Sequence, residues 1–251
     1  MSRSLEVGIL CVMSGHSKWS TIKRKKEATD AARGKLFSKL VKQISIAART
    51  SGGPNPDSNA KLRVAVDAAR AANMPKENID RAISKASEAA DSLEEVMYEA
   101  YGPDGVGLMI ATTTDNRNRT SAELKYILDR GGGSLGSPGS VAYNFAPKGY
   151  LLIKKAENVD EQTLALIDAG VEDVEESKLG IEAYTAPHEL ENVRRTIEKE
   201  LGVEVYEVRL VQKPKTEQIV GDALGERIIK LVQALEEHDD VQDVFIAATL
   251  A

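Results

Sequence analysis

Between residues 150 and 211 the apolar residues switch repeatedly between a period of two and a period near 3.6, and this alternation constrains the fold more than any other feature. It predicts a strand at 150–154, a helix at 160–169, strands at 171–176 and 180–185, a helix at 188–201 and a strand at 203–211. Six elements in the order βαββαβ can close one antiparallel sheet with both helices on one face, the ferredoxin-like arrangement.

The flanking segments are incomplete alone. Before this unit come a strand at Val96–Tyr101, a Gly102-Pro103-Asp104-Gly105 turn, a strand at Val106–Thr114 and a helix near Asn118–Arg130. After it come a strand near 216–220, a helix at 222–237 and a strand at 241–247. Residues 92–148 alone lack the helix needed to cover a sheet fully. The simplest packing therefore makes 91–148 with 212–251 one discontinuous α+β domain, with 149–211 inserted into it. Two tandem domains are the alternative.

The front of the chain has no strand pattern. Thr21–Ala32 is rich in Lys, Arg, Glu and Ala, Gly34 interrupts, and Lys35–Arg49 reads as an amphipathic helix. Leu36, Phe37, Leu40, Val41, Ile44, Ala47 and Ala48 share one side, Lys35, Lys39, Lys42 and Arg49 the other, and Ile46 falls among the cations. After the Ser51–Pro56 loop, Ser58 or Asn59 can cap a helix carrying Leu62, Val66, Ala69 and Ala72. Pro75 suits the first turn of another, with Ile79, Ala82, Ile83 and Ala86 facing inward. Residues 13–90 thus form a small helical domain, and the fold class is an α+β multidomain chain.

Charge divides along the same line. Residues 14–85 hold 16 Lys and Arg against 6 Asp and Glu, a net of +10; residues 86–251 hold 16 against 32, a net of −16. A basic region joined to an acidic body suggests an anionic partner for one part only. The densest stretch is Gly15–Lys26, with Lys18, Lys23, Arg24, Lys25 and Lys26. Between Ser14 and Arg49 only Glu27 and Asp30 dilute ten cations. Cations at this density neutralise phosphates, and five or six contacts imply a log–log salt slope of about −5 on duplex DNA. Trp19 can stack on a base or anchor the segment onto the helical core. In Thr114-Asp115-Asn116-Arg117-Asn118-Arg119-Thr120, where a strand hands over to a helix, Asp115, Asn116 or Asn118 can cap. Arg117 and Arg119 can pair with acids or contact phosphate. The candidate nucleic-acid contacts are Lys18, Trp19, Lys23, Arg24, Lys25, Lys26, Lys35, Lys39, Lys42, Arg49, Arg117 and Arg119.

Other motifs lack their context. Gly131-Gly132-Gly133-Ser134-Leu135-Gly136 matches both GxGxxG and GxSxG, but each needs a strand before it and a helix after, and here a helix precedes. The segment reads as a helix stop and a flexible loop, and Ser134 as no nucleophile. His16, His188 and His238 stand apart without metal-ligand spacing. The acidic groups Glu172, Asp173, Glu175, Glu176 and Asp239, Asp240, Asp243 read as solvated faces. No catalytic residue, metal, cofactor or small-molecule substrate is expected. No apolar run is long enough for a bilayer, and the single Cys11 excludes an intrachain disulfide, so a cytoplasmic protein is expected. Residues 1–12 read as a disordered extension and not a signal peptide, because the apolar patch is short and Glu6 interrupts it.

Met13–Trp19, Gly34–Lys39, Asn73–Ile79, Tyr98–Gly105, Thr114–Thr120, Gly131–Gly136 and Gly139–Val141 together resemble the YebC family, and the resemblance runs from Met13 to the C-terminus. It implies a helical N-terminal domain and two ferredoxin-like α+β domains around a cleft, with no established enzymatic activity or cofactor. Members of that family have been called transcriptional regulators acting at promoter DNA. Others are translational activators or act on ribosomes stalled at consecutive prolines. The partners implied are therefore ribosomal RNA or promoter DNA, and the ribosome. The translational reading is preferred, since the sequence offers neither paired half-sites nor a clear recognition helix.

Overall fold

A computed structural model describes residues 30–49, 53–88 and 93–250. It is an α+β fold in several parts. The front is helical, with α1 (Asp30–Arg49), α2 (Ala60–Ala71) and α3 (Lys76–Glu88). Leu40, Ile44, Ala47, Leu62, Val66, Ala69, Ile79 and Ala82 form the centre of a core drawn entirely from residues 37–86. Buried Asn59 fastens it: its Oδ1 accepts from Leu62 N (3.0 Å) and caps α2, while its Nδ2 donates to Ala47 O (2.7 Å) and Gly53 O (2.8 Å). Two details correct the expected helix. It runs through Gly34 without a break. Its faces are also rotated, since Leu36 is 45% exposed and Ile46 only 6%. Ile46 lies one turn beyond Lys42, on a flank that docks against the rest of the protein instead of facing water.

A first antiparallel sheet has the order β3-β1-β2-β9, from β1 (Glu94–Tyr101), β2 (Gly107–Thr114), β3 (Ser134–Leu135) and β9 (Val241–Ile246). The tight turn between β1 and β2 puts Asp104 and Gly105 in the left-handed region (φ 57° and 75°), which the Asp-Gly pair tolerates. β9, from the far end of the chain, pairs with β2 in the register Leu108↔Ile246 and Ile110↔Val244. Helices α4 (Arg117–Arg130) and α7 (Asp222–Glu236) cover one face of this sheet, burying Leu108, Ile110, Leu124, Leu128, Ile228 and Leu231. A short parallel pair, β8 (Gln218–Val220) with β10 (Ala248–Leu250), completes this part.

The second sheet has the order β5-β6-β4-β7, all antiparallel, from β4 (Phe145–Ile153), β5 (Asp173–Glu176), β6 (Ile181–Thr185) and β7 (Val205–Pro214). Helices α5 (Val159–Asp168) and α6 (Leu190–Lys199) lie on one face, over Leu151, Ile153, Ile181 and Ala183. This is the ferredoxin-like order. Its first and last strands in the chain, β4 and β7, are longer than expected, and β4 begins where β7 ends, with Phe145 opposite Pro214. In the first sheet, by contrast, the two central strands are a simple hairpin.

The uncovered faces of the two sheets meet. Met109 and Phe245 of the first pack with Tyr150, Leu152, Tyr184 and Val211 of the second, around Val141 and Phe145. Arg209 crosses this junction to Asp243 (3.1 Å) and lies 4.9 Å from the Tyr150 ring centroid. Burial opposes its charge, but the neighbouring Asp243 and Glu207 carboxylates outweigh that and hold the guanidinium firmly protonated. The two acidic groups are therefore not bare solvated faces. Glu172 pairs with Lys148, Asp173 and Glu175 with Lys213, Glu176 with Lys155, and Asp243 with Arg209.

Candidate nucleic-acid interface

The six candidates from Lys18 to Lys26 lie outside the described residues. The other six lie within them, and all six have partners in the fold. Lys35, Lys39 and Lys42 project from α1, at a spacing of four and three residues, onto the C-terminal end of α7. Lys35 Nζ donates to Glu237 O (3.2 Å), Lys39 Nζ to Glu236 O, and Lys42 Nζ to Asp239 O (3.1 Å). These carbonyls sit at the helix end that carries partial negative charge, where a cation is favoured.

Lys42 also meets the carboxylate of Asp240 at 2.7 Å. Asp240 has a side chain only 4% exposed, and it is the hub of the site. Its Oδ2 accepts from Arg119 Nη2 (2.9 Å) and Thr120 Oγ1 (2.7 Å), and its backbone carbonyl accepts from Thr113 N (2.8 Å). Burial alone would raise its pKa. Hydrogen bonds from Lys42, Thr120 and Arg119 outweigh that and hold the carboxyl well below the ordinary carboxylate range. The reading of Asp240 as solvated is thus overturned, because three donors from two distant segments converge on it. His238 is tied in as well: its Nδ1 accepts from Asp240 N (3.1 Å) and its Nε2 meets Glu123 Oε2 (2.7 Å).

The Thr114–Thr120 segment is built around this hub. Asn116 caps α4, its side chain accepting from Arg119 N (3.1 Å), and Thr114 Oγ1 accepts from Asn116 N (2.9 Å). Arg119 also bonds Asp115 (2.8 Å), while Arg117 pairs with Glu94 on β1. Both arginines answer acids, and both side chains remain about half exposed to solvent. Arg49 lies apart from this cluster, its Nε donating to Ala86 O (3.2 Å) near the end of α3.

The glycine segment is held, contrary to the flexible loop expected. Gly133 lies against Tyr101 O so closely that a Cβ would fall 2.4 Å from it, and a Cβ on Gly136 would fall 2.5 Å from Ser140 Oγ. The Glu99 carboxylate accepts from Gly139 N (2.6 Å), Val141 N (2.6 Å) and Ala142 N (2.7 Å). Burial opposes the charge of Glu99, but these three amides prevail and lower its pKa. Ser134 stands on edge strand β3, directly after a helix, which is not a nucleophile's strand-to-helix turn. The next turn presents Tyr143, 74% exposed, on a backbone fastened by Lys215 and by two Asn144–Thr216 bonds.

Glu99, Asp240 and Tyr143 were not visible as site residues in the sequence. Asp240 contacts Lys42 and Thr120 from 198 and 120 residues away, so no local pattern marks it. Glu99 reaches its three amides from 40 to 43 residues away, so it too carries no local mark. Among the described residues no cluster of three or more His, Cys, Asp or Glu side chains can hold a metal, and no helix is long and apolar enough to cross a membrane.

Two family models match the chain. One, the TACO1/YebC protein N-terminal domain, matches residues 17–89. The other, the TACO1/YebC second and third domain, matches residues 93–248. A relative from Aquifex aeolicus, named "Probable transcriptional regulatory protein", is 46% identical over 92% of this chain and 94% of its own. One from Bacillus licheniformis, similarly named, is 47% identical over 93% and 98%. The crystal structure of a conserved hypothetical protein from Aquifex aeolicus covers 94% of this chain and 98% of its own at 43% identity, with a TM-score of 0.84.

Proposed function

The chain belongs to the TACO1/YebC family, and from that premise we propose that it is a nucleic-acid-binding regulator of gene expression acting on ribosomal RNA. The observation that carries this reading is the charge split. A net of +10 is gathered in residues 14–85, and the helices of that region close their own core apart from the acidic body. Exposed Arg33, Lys76, Arg81 and Lys85 add to the cations of residues 18–26 as phosphate contacts. Tyr143, exposed on a tightly held turn beside the glycine segment, offers a flat surface for an unpaired base. The same reading takes 13–90 as the gripping domain and 149–211 as inserted between 91–148 and 212–251. Support comes from β9 lying beside β2, and from Phe145 lying opposite Pro214. No catalytic role is assigned to any residue.

Crosslinking in cells followed by sequencing of the bound nucleic acid tests this. Ribosomal RNA should dominate, and the protein should co-sediment with ribosomes when they stall. Its absence from ribosomal fractions under stalling would exclude the reading. Reversing charge at Lys23, Arg24, Lys25 and Lys26 should abolish the association.

The names of the relatives favour a second reading, a DNA-binding regulator at promoters. Against it, the sequence offers neither paired half-sites nor a clear recognition helix. Electrophoretic shifts with strong sequence preference at physiological salt would favour it.

A further inference from the structure

We propose that the lysine flank of α1 is a second, masked phosphate-binding surface, held closed in the free protein by the C-terminal end of α7 and opened when a nucleic-acid strand takes over its lysines. The proposal rests on the nucleic-acid reading above and adds a partner exchange to it.

Chemistry comes first. Lys35, Lys39 and Lys42 span about 10 Å along α1 and each donates to a carbonyl oxygen at the α7 terminus. Those oxygens, on the negative end of a helix dipole, occupy the places phosphate oxygens would take. Phosphates carry full charge, and a strand presents them in series, so it competes for all three ammonium groups at once.

The second point is that opening leaves little unsatisfied. Lys42 is one of three donors to Asp240. When it departs, Arg119 (2.9 Å) and Thr120 (2.7 Å) remain, so the buried carboxylate keeps its partners. The released carbonyls of Glu236, Glu237 and Asp239 lie at a solvent-accessible helix end where water can replace the lysines.

Third, among the described residues no apolar core spans the helical part and the body, and Ile46, buried on the docking flank, belongs to none. Further contacts across the boundary are ionic: Lys61–Glu95, Arg63–Glu191 (3.2 Å) and Arg194–Asp67 (2.8 Å). Lys35, Lys39, Lys42, Lys61 and Arg63 thus all touch acids or carbonyls of the body through charged groups that salt can screen.

The test uses the full chain with Cys11→Ser and dye-bearing cysteines at exposed Ser84 on α3 and Asp129 on α4 (S84C, D129C). Energy transfer reports the separation, and anisotropy of a labelled mixed-sequence single-stranded RNA reports binding. The expected result is binding accompanied by a fall in transfer. Binding without that fall overturns the masked surface and leaves the nucleic-acid reading intact, whereas failure to bind at all overturns both. A companion variant, Lys35→Gln/Lys39→Gln/Lys42→Gln, checks that the lysines reach phosphate. It should show low transfer without RNA, and a log–log salt slope shallower by about 2 on a single strand. An unchanged slope would mean that the lysines only hold the fold together, and would overturn the proposal.

Discussion

The molecule has two internal junctions of opposite character. Where the two sheets meet, Met109, Phe145, Tyr150, Leu152, Tyr184 and Phe245 close an apolar contact, and Arg209 is answered across it by Asp243. Where the helical part meets the rest, the contact is built largely on lysines and arginines that meet carbonyls and carboxylates, with Ile46 buried beside them. Apolar burial is not screened by salt, and its loss exposes the whole contact to water, so the first junction holds one arrangement. Exposed ion pairs are each worth about 0–1 kcal/mol and weaken with ionic strength, so the second can be exchanged for another polyanionic partner. The basic and acidic parts of the chain are therefore held to one another in part by paired charge.

Breaking the first junction should have the largest effect. Phe245→Ala removes a buried ring from between the sheets and should cost about 3 kcal/mol in urea unfolding. If it costs no more than an exposed substitution, the contrast fails. Asp240→Ala comes next. It strips the hub from Lys42, Arg119 and Thr120, but those cations can rehydrate, so a loss of about 2 kcal/mol is expected. Acid sharpens the comparison further. Asp240 has a lowered folded pKa, so its contribution is complete above the ordinary carboxyl value, about pH 4, and drains away as the pH falls toward the folded value. Unfolding measured from pH 5 downward should show the wild type losing more stability than Asp240→Asn, and coincident acid limbs would contradict the hub. The smallest effect belongs to the ionic junction: Lys61→Ala, which removes the exposed pair with Glu95, should cost about 0.5 kcal/mol, and the difference should vanish near 1 M salt, where the screening length is about 3 Å.

Much of the fold was legible because it depends on local periodicity. The βαββαβ order, the cap at Asn59 and the inward residues Ile79, Ala82 and Ala86 all follow from spacing and side-chain chemistry. The charged residues were much less legible. A row of lysines on a helix looks the same in sequence whether it faces water, phosphate or the end of another helix. Only the tertiary fold brings Glu236–Asp240 to Lys35–Lys42. The glycines misled for a related reason. Gly133 and Gly136 are small because β1 and Ser140 press on them, not because the backbone must move, and the neighbour that makes this so lies some thirty residues earlier in the chain.

Phe145 and Pro214 sit opposite one another on adjacent strands. A chain that departs and comes back at neighbouring points can lengthen, swap or shed what lies between them without rethreading the sheet it left. Evolution or an engineer could therefore regraft the βαββαβ module at that doorway. The graft would have to supply a greasy underside to cover Met109 and Phe245.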